Sequence, residues 1–414
     1  MKDYVNEQNS ENFTHDFELS HIIGLNTNIQ KSIQGHPTMP DSLIYSVGGL
    51  IVVEDLSDRN NQVYFRHGQN QIGAFKISNN GKFLAVGFIS DNLEKVIPTS
   101  VILWNFETKE VIYELSGILK GVNIIEFSQD DQYIAAAGLD NSIYIWQLET
   151  GYKCFHKIFE FNINLLQWTY IFMSDSDQLN NASNNNNNGE NNNNNNKNTD
   201  YYLTIANVNV IHYVRFYYDF NSMQFYTSFN KFNLPSTGYN RIYTSSLVDL
   251  ENRTLFMGTS GGELSSFNLD NLYFKTSYNV INNGVTSLLF APESNGNSHC
   301  VIIGGGDGRI KKMVFSEGKQ ILTHEIQLSS RILALAHGTD IREFFAATKN
   351  GEIFRVLADD FTYTLHSNSH VVPVNSADYF RGKNDVCFVC DDSVINYKNY
   401  LMKFFYLFFF KLFC

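Results

Sequence analysis

The stretch VNIIEFSQDDQYIAAAGLDNSIYIWQ, residues 122–147, decides the fold. It holds three apolar runs, VNIIEF, QYIAAAG and SIYIWQ, separated by short polar turns. Val, Ile and Tyr favour a pleated, half-buried surface, and the runs show no apolar 3.6-residue period, so they predict three strands and not a helix. The middle run ends in small residues, a tight turn follows, and the third run ends in Trp146. Immediately upstream the same grammar recurs as IGAFKI, KFLAVGF, SVILWN and EVIYELS, with Trp104 closing the third run. The two tryptophans are 42 residues apart.

That spacing falls within the roughly 40–45 residues of a WD-repeat propeller blade. In GLDNSIYIWQ, Asp140 stands six residues before Trp146, where a WD repeat places an Asp in the turn between its second and third strands. The frame recurs in degraded form: Asp307 precedes Met313 by six in GGGDGRIKKMV, GTSGGELSSFN ends at Phe267 and Asn268, and ATKNGEIFRVL and VCDDSVINYKN continue the series. Units start near residues 27, 68, 117, 159, 240, 283, 328 and 371, which makes eight repeat-like units, the last without a clear fourth strand. ELSHIIGL, residues 18–25, reads as an extra strand before the first unit and would complete the final blade, removing two raw sheet edges at once. The expectation is an all-β WD-repeat β-propeller of seven or eight blades, each a four-stranded antiparallel sheet, over residues 17–400. Residues 1–16 form a flexible N-terminus, residues 178–199 a disordered Asn-rich insert in a surface loop, and residues 401–414 a hydrophobic tail that reads as a non-native extension.

The composition limits the function classes. Of 414 residues, 43% are apolar and 17% charged, so most of the chain can bury a core. The net charge of −12 opposes general binding to phosphate backbones or anionic lipid heads. Five scattered cysteines and no signal segment point to a reducing cytoplasmic setting. The tail LMKFFYLFFFKLFC, broken by Lys403 and Lys411, is shorter than the ~20 residues of a spanning helix, so no membrane span is expected.

Several stretches go beyond a general blade pattern. HIIGLN, IQGHP, SLIYSVGG, VYFRHGQNQIGAFKISNNGKFLAVGF, VILWNFETKEVIYEL, FMGTSGGEL, GVTSLLF and ATKNGEIFRVLADDFTYTLHSNSHVVPV together resemble the N-terminal half of the cilia- and flagella-associated protein 52 family. The resemblance covers roughly residues 18–400 outside the insert. It implies a non-enzymatic WD-repeat protein of motile cilia that lines the inside of the axonemal doublet, contacts tubulin and other axonemal inner proteins, and supports motility. The implied location is the cytoskeleton of the cilium axoneme. Family members carry two tandem propellers, whereas the repeats here stop near Tyr400, so the eighth unit would be the first blade of a second ring. From the repeats alone, a general cytoplasmic adaptor or substrate receptor remains the alternative.

No residue constellation suggests catalysis, a cofactor or a metal centre, although propellers do host hydrolases and the fold alone does not decide. Trp104 and Trp146 are expected to pack between blades, and Asp140 and Asp307 to accept backbone hydrogen bonds in tight turns. His67 stands where a Gly-His pair is usual, with Arg66 in the glycine position, and is expected to join a blade's hydrogen-bond network. That network is incomplete, since Pro98 replaces the Asp six before Trp104. Cys387 and Cys390 form C-x-x-C, but VCFVC reads as a strand that points them to opposite faces, and neither two further zinc ligands nor a helix start accompanies them. His299 beside Cys300 lies in another strand. GGGDG and GTSGG lack phosphate-loop spacing and read as hairpin turns.

Overall fold

In the computed structural model, the described residues are 22 and 24–399, apart from 40, 59–60, 69, 91–96, 174–198, 236–239, 292–298, 317–318, 339–341, 370–373, 381–384 and 391–394. The expected flexible residues 1–16, nearly all of the insert at 178–199 and the tail 401–414 lie outside them.

The chain folds into strands, each sheet built from consecutive antiparallel neighbours. Blade 1 is β1 (Ile33–Gly35), β2 (Ser42–Val47), β3 (Leu50–Asp55) and β4 (Gln62–Arg66). Blade 2 is β5 (Ile72–Ile77), β6 (Phe83–Phe88), β7 (Pro98–Asn105) and β8 (Val111–Leu119). Blade 3 is β9 (Val122–Phe127), β10 (Tyr133–Gly138), β11 (Ser142–Gln147) and β12 (Lys153–Ile158). Blade 4 is β13 (Leu165–Met173), β14 (Thr199–Ala206), β15 (Ile211–Asp219) and β16 (Gln224–Lys231). Blade 5 is β17 (Tyr243–Asp249), β18 (Thr254–Thr259), β19 (Glu263–Asn268) and β20 (Phe274–Asn279). Blade 6 is β21 (Val285–Phe290), β22 (His299–Gly305), β23 (Arg309–Ser316) and β24 (Lys319–Gln327). Blade 7 is β25 (Ile332–His337), β26 (Glu343–Thr348), β27 (Glu352–Leu357) and β28 (Tyr363–Asn368).

Burial follows each strand's place in its blade. The second strand is covered on both faces, so β10 (YIAAAG) and β26 (EFFAAT) are buried at every position. The fourth strand forms the rim, and β24 is mostly exposed. Apolar clusters span neighbouring blades: Ile134, Tyr144 and Trp146 of blade 3 pack with Ala85, Val101 and Leu103 of blade 2. Burying a large apolar side chain contributes about 1.5–3 kcal/mol, so these inter-blade clusters dominate stability.

The ring closes with seven blades. Ile33, Leu43, Tyr45 and Val52 of blade 1 share one buried cluster with Ala334, Phe345, Ala347 and Ile353 of blade 7. Polar ties reinforce this seam: Tyr45 Oη donates to Glu54 Oε2 at 2.8 Å, Glu54 Oε1 meets His366 Nε2 at 3.2 Å, and Lys349 Nζ donates to the Thr27 carbonyl at 2.8 Å. The eighth unit is a three-stranded sheet of β29 (Val374–Phe380), β30 (Asp385–Cys390) and β31 (Ile395–Asn399), which follows the closed ring. Most of the expected extra N-terminal strand, residues 18–21 and 23, lies outside the described residues. Residues 22 and 24–25 are not in a strand, and blade 7 takes its fourth strand from its own β28, leaving no missing edge to fill. Instead Ile22 is held to Gln62 by reciprocal hydrogen bonds, and Leu25 joins the seam cluster.

Candidate partner-binding surfaces

In blades 3 and 6, the turn between the second and third strands ties the blade to its neighbour. Asp140, between β10 and β11, accepts from Leu119 N at 3.0 Å, from Ser142 N at 3.2 Å and from the Ser142 hydroxyl. Leu119 ends blade 2, so this carboxylate bridges blades. Asp307 repeats the arrangement in blade 6, accepting from Asn282 N at 3.3 Å and Arg309 N at 3.1 Å. Blade 5 has Gly262 in the equivalent turn at φ +92, and a Cβ there would lie 1.9 Å from the Ile281 carbonyl oxygen, so the last glycine of GTSGG is needed both for its backbone angle and for close approach. The GGGDG and GTSGG runs both contain turns between consecutive antiparallel strands.

Trp146 lies on β11 and Trp104 on β7, both buried in inter-blade clusters. Tyr144 stacks on Trp146 at 5.3 Å, and Phe65 of blade 1 meets Trp104 edge-on at 5.6 Å. His67 is exposed at the end of β4, with its ring 6.3 Å from Trp104 and 6.2 Å from Phe88. Among the described residues these ring contacts are what the His67 side chain makes. Cys387 and Cys390 lie on β30, but their side chains, like that of His299, are outside the described residues. Cys300 is buried on β22, and Cys154 is partly buried, where burial pushes its thiol up to about 12.

The central channel carries a polar clasp that sequence reading missed. Glu126 on inner strand β9 is 3% exposed and pairs with Lys31 at 2.5 Å and with Lys76 of β5 at 3.4 Å. Burial pushes this carboxyl up, but the two ammonium groups together outweigh it and hold it below the usual range. Gln34 of β1 completes the tie between blades 1 and 2, donating to the Phe75 carbonyl and accepting from Ile77 N, while Trp168 Nε1 of blade 4 donates to the Glu126 carbonyl. Just past the same ends of β9 and β5, Asp131 accepts from Asn79 N at 2.9 Å and Asn80 N at 2.7 Å. These groups are neutralised or hydrogen-bonded within the ring, and they hold blades in register.

Concavities are shallow. One of about 630 Å³ is lined by Glu160, Phe161, Asn164, Asn207, Val208 and Ile242, and another of about 360 Å³ by Arg342, Glu343, Leu357, Asp359 and Asp360. Among the described residues, no three His, Cys, Asp or Glu side chains gather as metal ligands, and no helix is long and apolar enough to cross a membrane.

Seven four-stranded blades, interlocked by turn carboxylates and inter-blade tryptophans, define the chain as a WD-repeat β-propeller. The family described as WD domain, G-beta repeat matches residues 109–147, the segment that contains Asp140 and Trp146. Solved structures agree on the fold: a chain in the crystal structure of a mitotic checkpoint complex has a TM-score of 0.58 at 12% identity, covering 86% of this chain and 97% of that one. The Cps50 (Swd1) beta-propeller domain of Myceliophteria thermophila has a TM-score of 0.54 at 13% identity, covering 81% and 98%. Among curated proteins, the chain is similar to cilia- and flagella-associated protein 52 of Chlamydomonas reinhardtii, 22% identical over 389 residues. That alignment takes in 91% of this chain and 55% of the algal protein, so the chain spans about half of its relative's length. The Mus musculus protein of the same name is 28% identical over 136 residues, covering 32% of this chain and 21% of that one, and the Homo sapiens protein 24% over 135 residues, with the same coverage.

Proposed function

We propose that the chain is a cilia- and flagella-associated structural protein whose propeller serves as a rigid binding platform inside axonemal doublet microtubules, holding tubulin and neighbouring inner proteins and so supporting ciliary motility. The observation that carries this reading is the alignment with the Chlamydomonas protein along 91% of the chain, which extends well beyond the single matched WD repeat. The structure is compatible in kind: it has a closed ring of sheets, shallow concavities and an exposed rim. An acidic chain suits a lumenal position, because tubulin's acidic tails, which attract basic proteins, project outward from the microtubule wall.

The test is fractionation of ciliated cells that express the tagged full chain. The expected result is signal along the axoneme that stays with the doublets through a high-salt wash. A freely diffusing cytosolic signal that co-purifies with ligase or trafficking subunits would replace this reading with a cytoplasmic adaptor.

A further inference from the structure

The rim between blades 3 and 4 differs from the rest of this acidic molecule. Edge strands β12 (KCFHKI) and β16 (QFYTSFNK) carry three lysines and no Asp or Glu in a chain of net charge −12. The two edges form one surface: Lys157 Nζ of blade 3 sits 3.9 Å over the Phe229 ring of blade 4, and Tyr152 stacks with Phe225 at 6.5 Å. Lys231 lies beside His212 in the sheet register, on the same face of blade 4 as Phe229. Neither Lys157 nor Lys231 has a carboxylate partner among the described residues.

His212 lies between them. Its ring stacks on Phe161 at 5.5 Å with planes 2° apart, and its Nδ1 is buried without a hydrogen-bond partner. Burial, then the charges of Lys231 and Lys157, hold its imidazole below the usual range, so the ring registers an uncompensated positive field. The acid on the adjoining loop is the exposed Glu160, in the groove that Phe161 also lines. An exposed ring lies on the same surface: Tyr152, stacked with Phe225, is 61% exposed.

We propose that the mouth of the blade 3–blade 4 cleft is a docking surface for an acidic polypeptide segment of a partner, with a carboxylate held between Lys157 and Lys231 and an apolar side chain resting on Tyr152. Charge complementarity favours this occupant: a carboxylate arriving there breaks no existing ion pair, while Lys157 keeps its aromatic support. This assignment rests on the reading of the chain as a partner-binding propeller and adds the place and the partner's chemistry.

The test uses the full chain and a labelled oligo-glutamate peptide, read by fluorescence anisotropy. The variant K157E/K231E should weaken binding about tenfold or more at low salt, and K157Q/K231Q by less, whereas K82E/K109E on blade 2, with the same change in net charge, should stay within about twofold. Bound peptide should also raise the His212 pKa in an NMR titration, because the incoming carboxylate offsets the two ammonium groups. Equal losses from both charge-reversed pairs, or no binding by the unaltered chain, would overturn the assignment. Tighter binding of a single-stranded RNA that K157E/K231E abolishes would overturn it in favour of a nucleic-acid surface. Peptide binding that fails while the chain stays on salt-washed axonemes removes this site alone. Intact, Lys157/Lys231-dependent peptide binding with no axonemal retention keeps the site and removes the ciliary reading.

Discussion

Replacing Glu126 by Gln keeps the side chain's shape and removes its charge, isolating the electrostatic part of the channel clasp. The carboxylate is 3% exposed, between Lys31 and Lys76 whose side chains are 50% and 28% exposed. Removing one member of a fully buried ion pair costs about 3–5 kcal/mol. Both ammonium groups here keep part of their hydration, so screening brings the expected loss to about 2 kcal/mol. Urea unfolding of Glu126→Gln against the unaltered chain at neutral pH reads this directly. The sign of the pH dependence is fixed by the lowered carboxyl: the contribution is fully present above the ordinary unfolded value of 4.5 and is lost as pH falls through the lower folded value. The stability gap between the two proteins should therefore narrow below about pH 4. Adding Lys76→Met to Glu126→Gln should recover part of the loss, since it removes one uncompensated charge. A gap under about 0.5 kcal/mol at neutral pH, or one that widens on acidification, would refute the clasp as a stabilising element.

Other perturbations address the blade ties, the seam and a thiol. Asp140→Ala leaves the Leu119 N–H without its acceptor and should cost about 1–3 kcal/mol, with faster hydrogen exchange at the Leu119 amide. His366→Leu strips Glu54 of its partner across the seam and should cost about 2 kcal/mol, with the first increase in exchange in β1 and β28; uniform exchange changes around the ring would count against a special seam. Trp146→Ala should destabilise by about 3–5 kcal/mol in thermal melts. With the other four cysteines changed to Ser, Cys154 should alkylate roughly a thousandfold more slowly at mildly alkaline pH than a free thiol, since its value of about 12 leaves little thiolate.

The period was legible because a blade's second and third strands leave a local signature: small residues, a tight turn with Asp140, and a bulky end at Trp146. That signature spans fewer than a dozen consecutive residues, is complete in blade 3 and recurs in degraded form in blades 5, 6 and 7. The number of blades was less legible, because a repeat pattern gives units and does not reveal which pair closes the seam; the packing of Ile33 and Leu43 against Phe345 settles it. The clasp was hidden for another reason. Lys76 in IGAFKI and Glu126 in VNIIEF are lone charges in apolar runs 50 residues apart, and only the packing of blade 3 on blade 2 brings them within 3.4 Å. His366 and Glu54 lie at opposite ends of the ring in sequence, and only closure brings them within 3.2 Å. The lysine pair of the rim is likewise split between two blades, with the long blade 4 insertion between its members.

The central claim is that this propeller is a built-in part of the doublet wall. Cryo-electron tomography of axonemes from cells with and without the chain tests it most directly. The expected result is a seven-spoked disc inside the doublet that disappears from the averaged map when the chain is absent and returns when it is restored. Identical doublet maps from the two cell lines, with the chain recovered only from soluble extract, would contradict it.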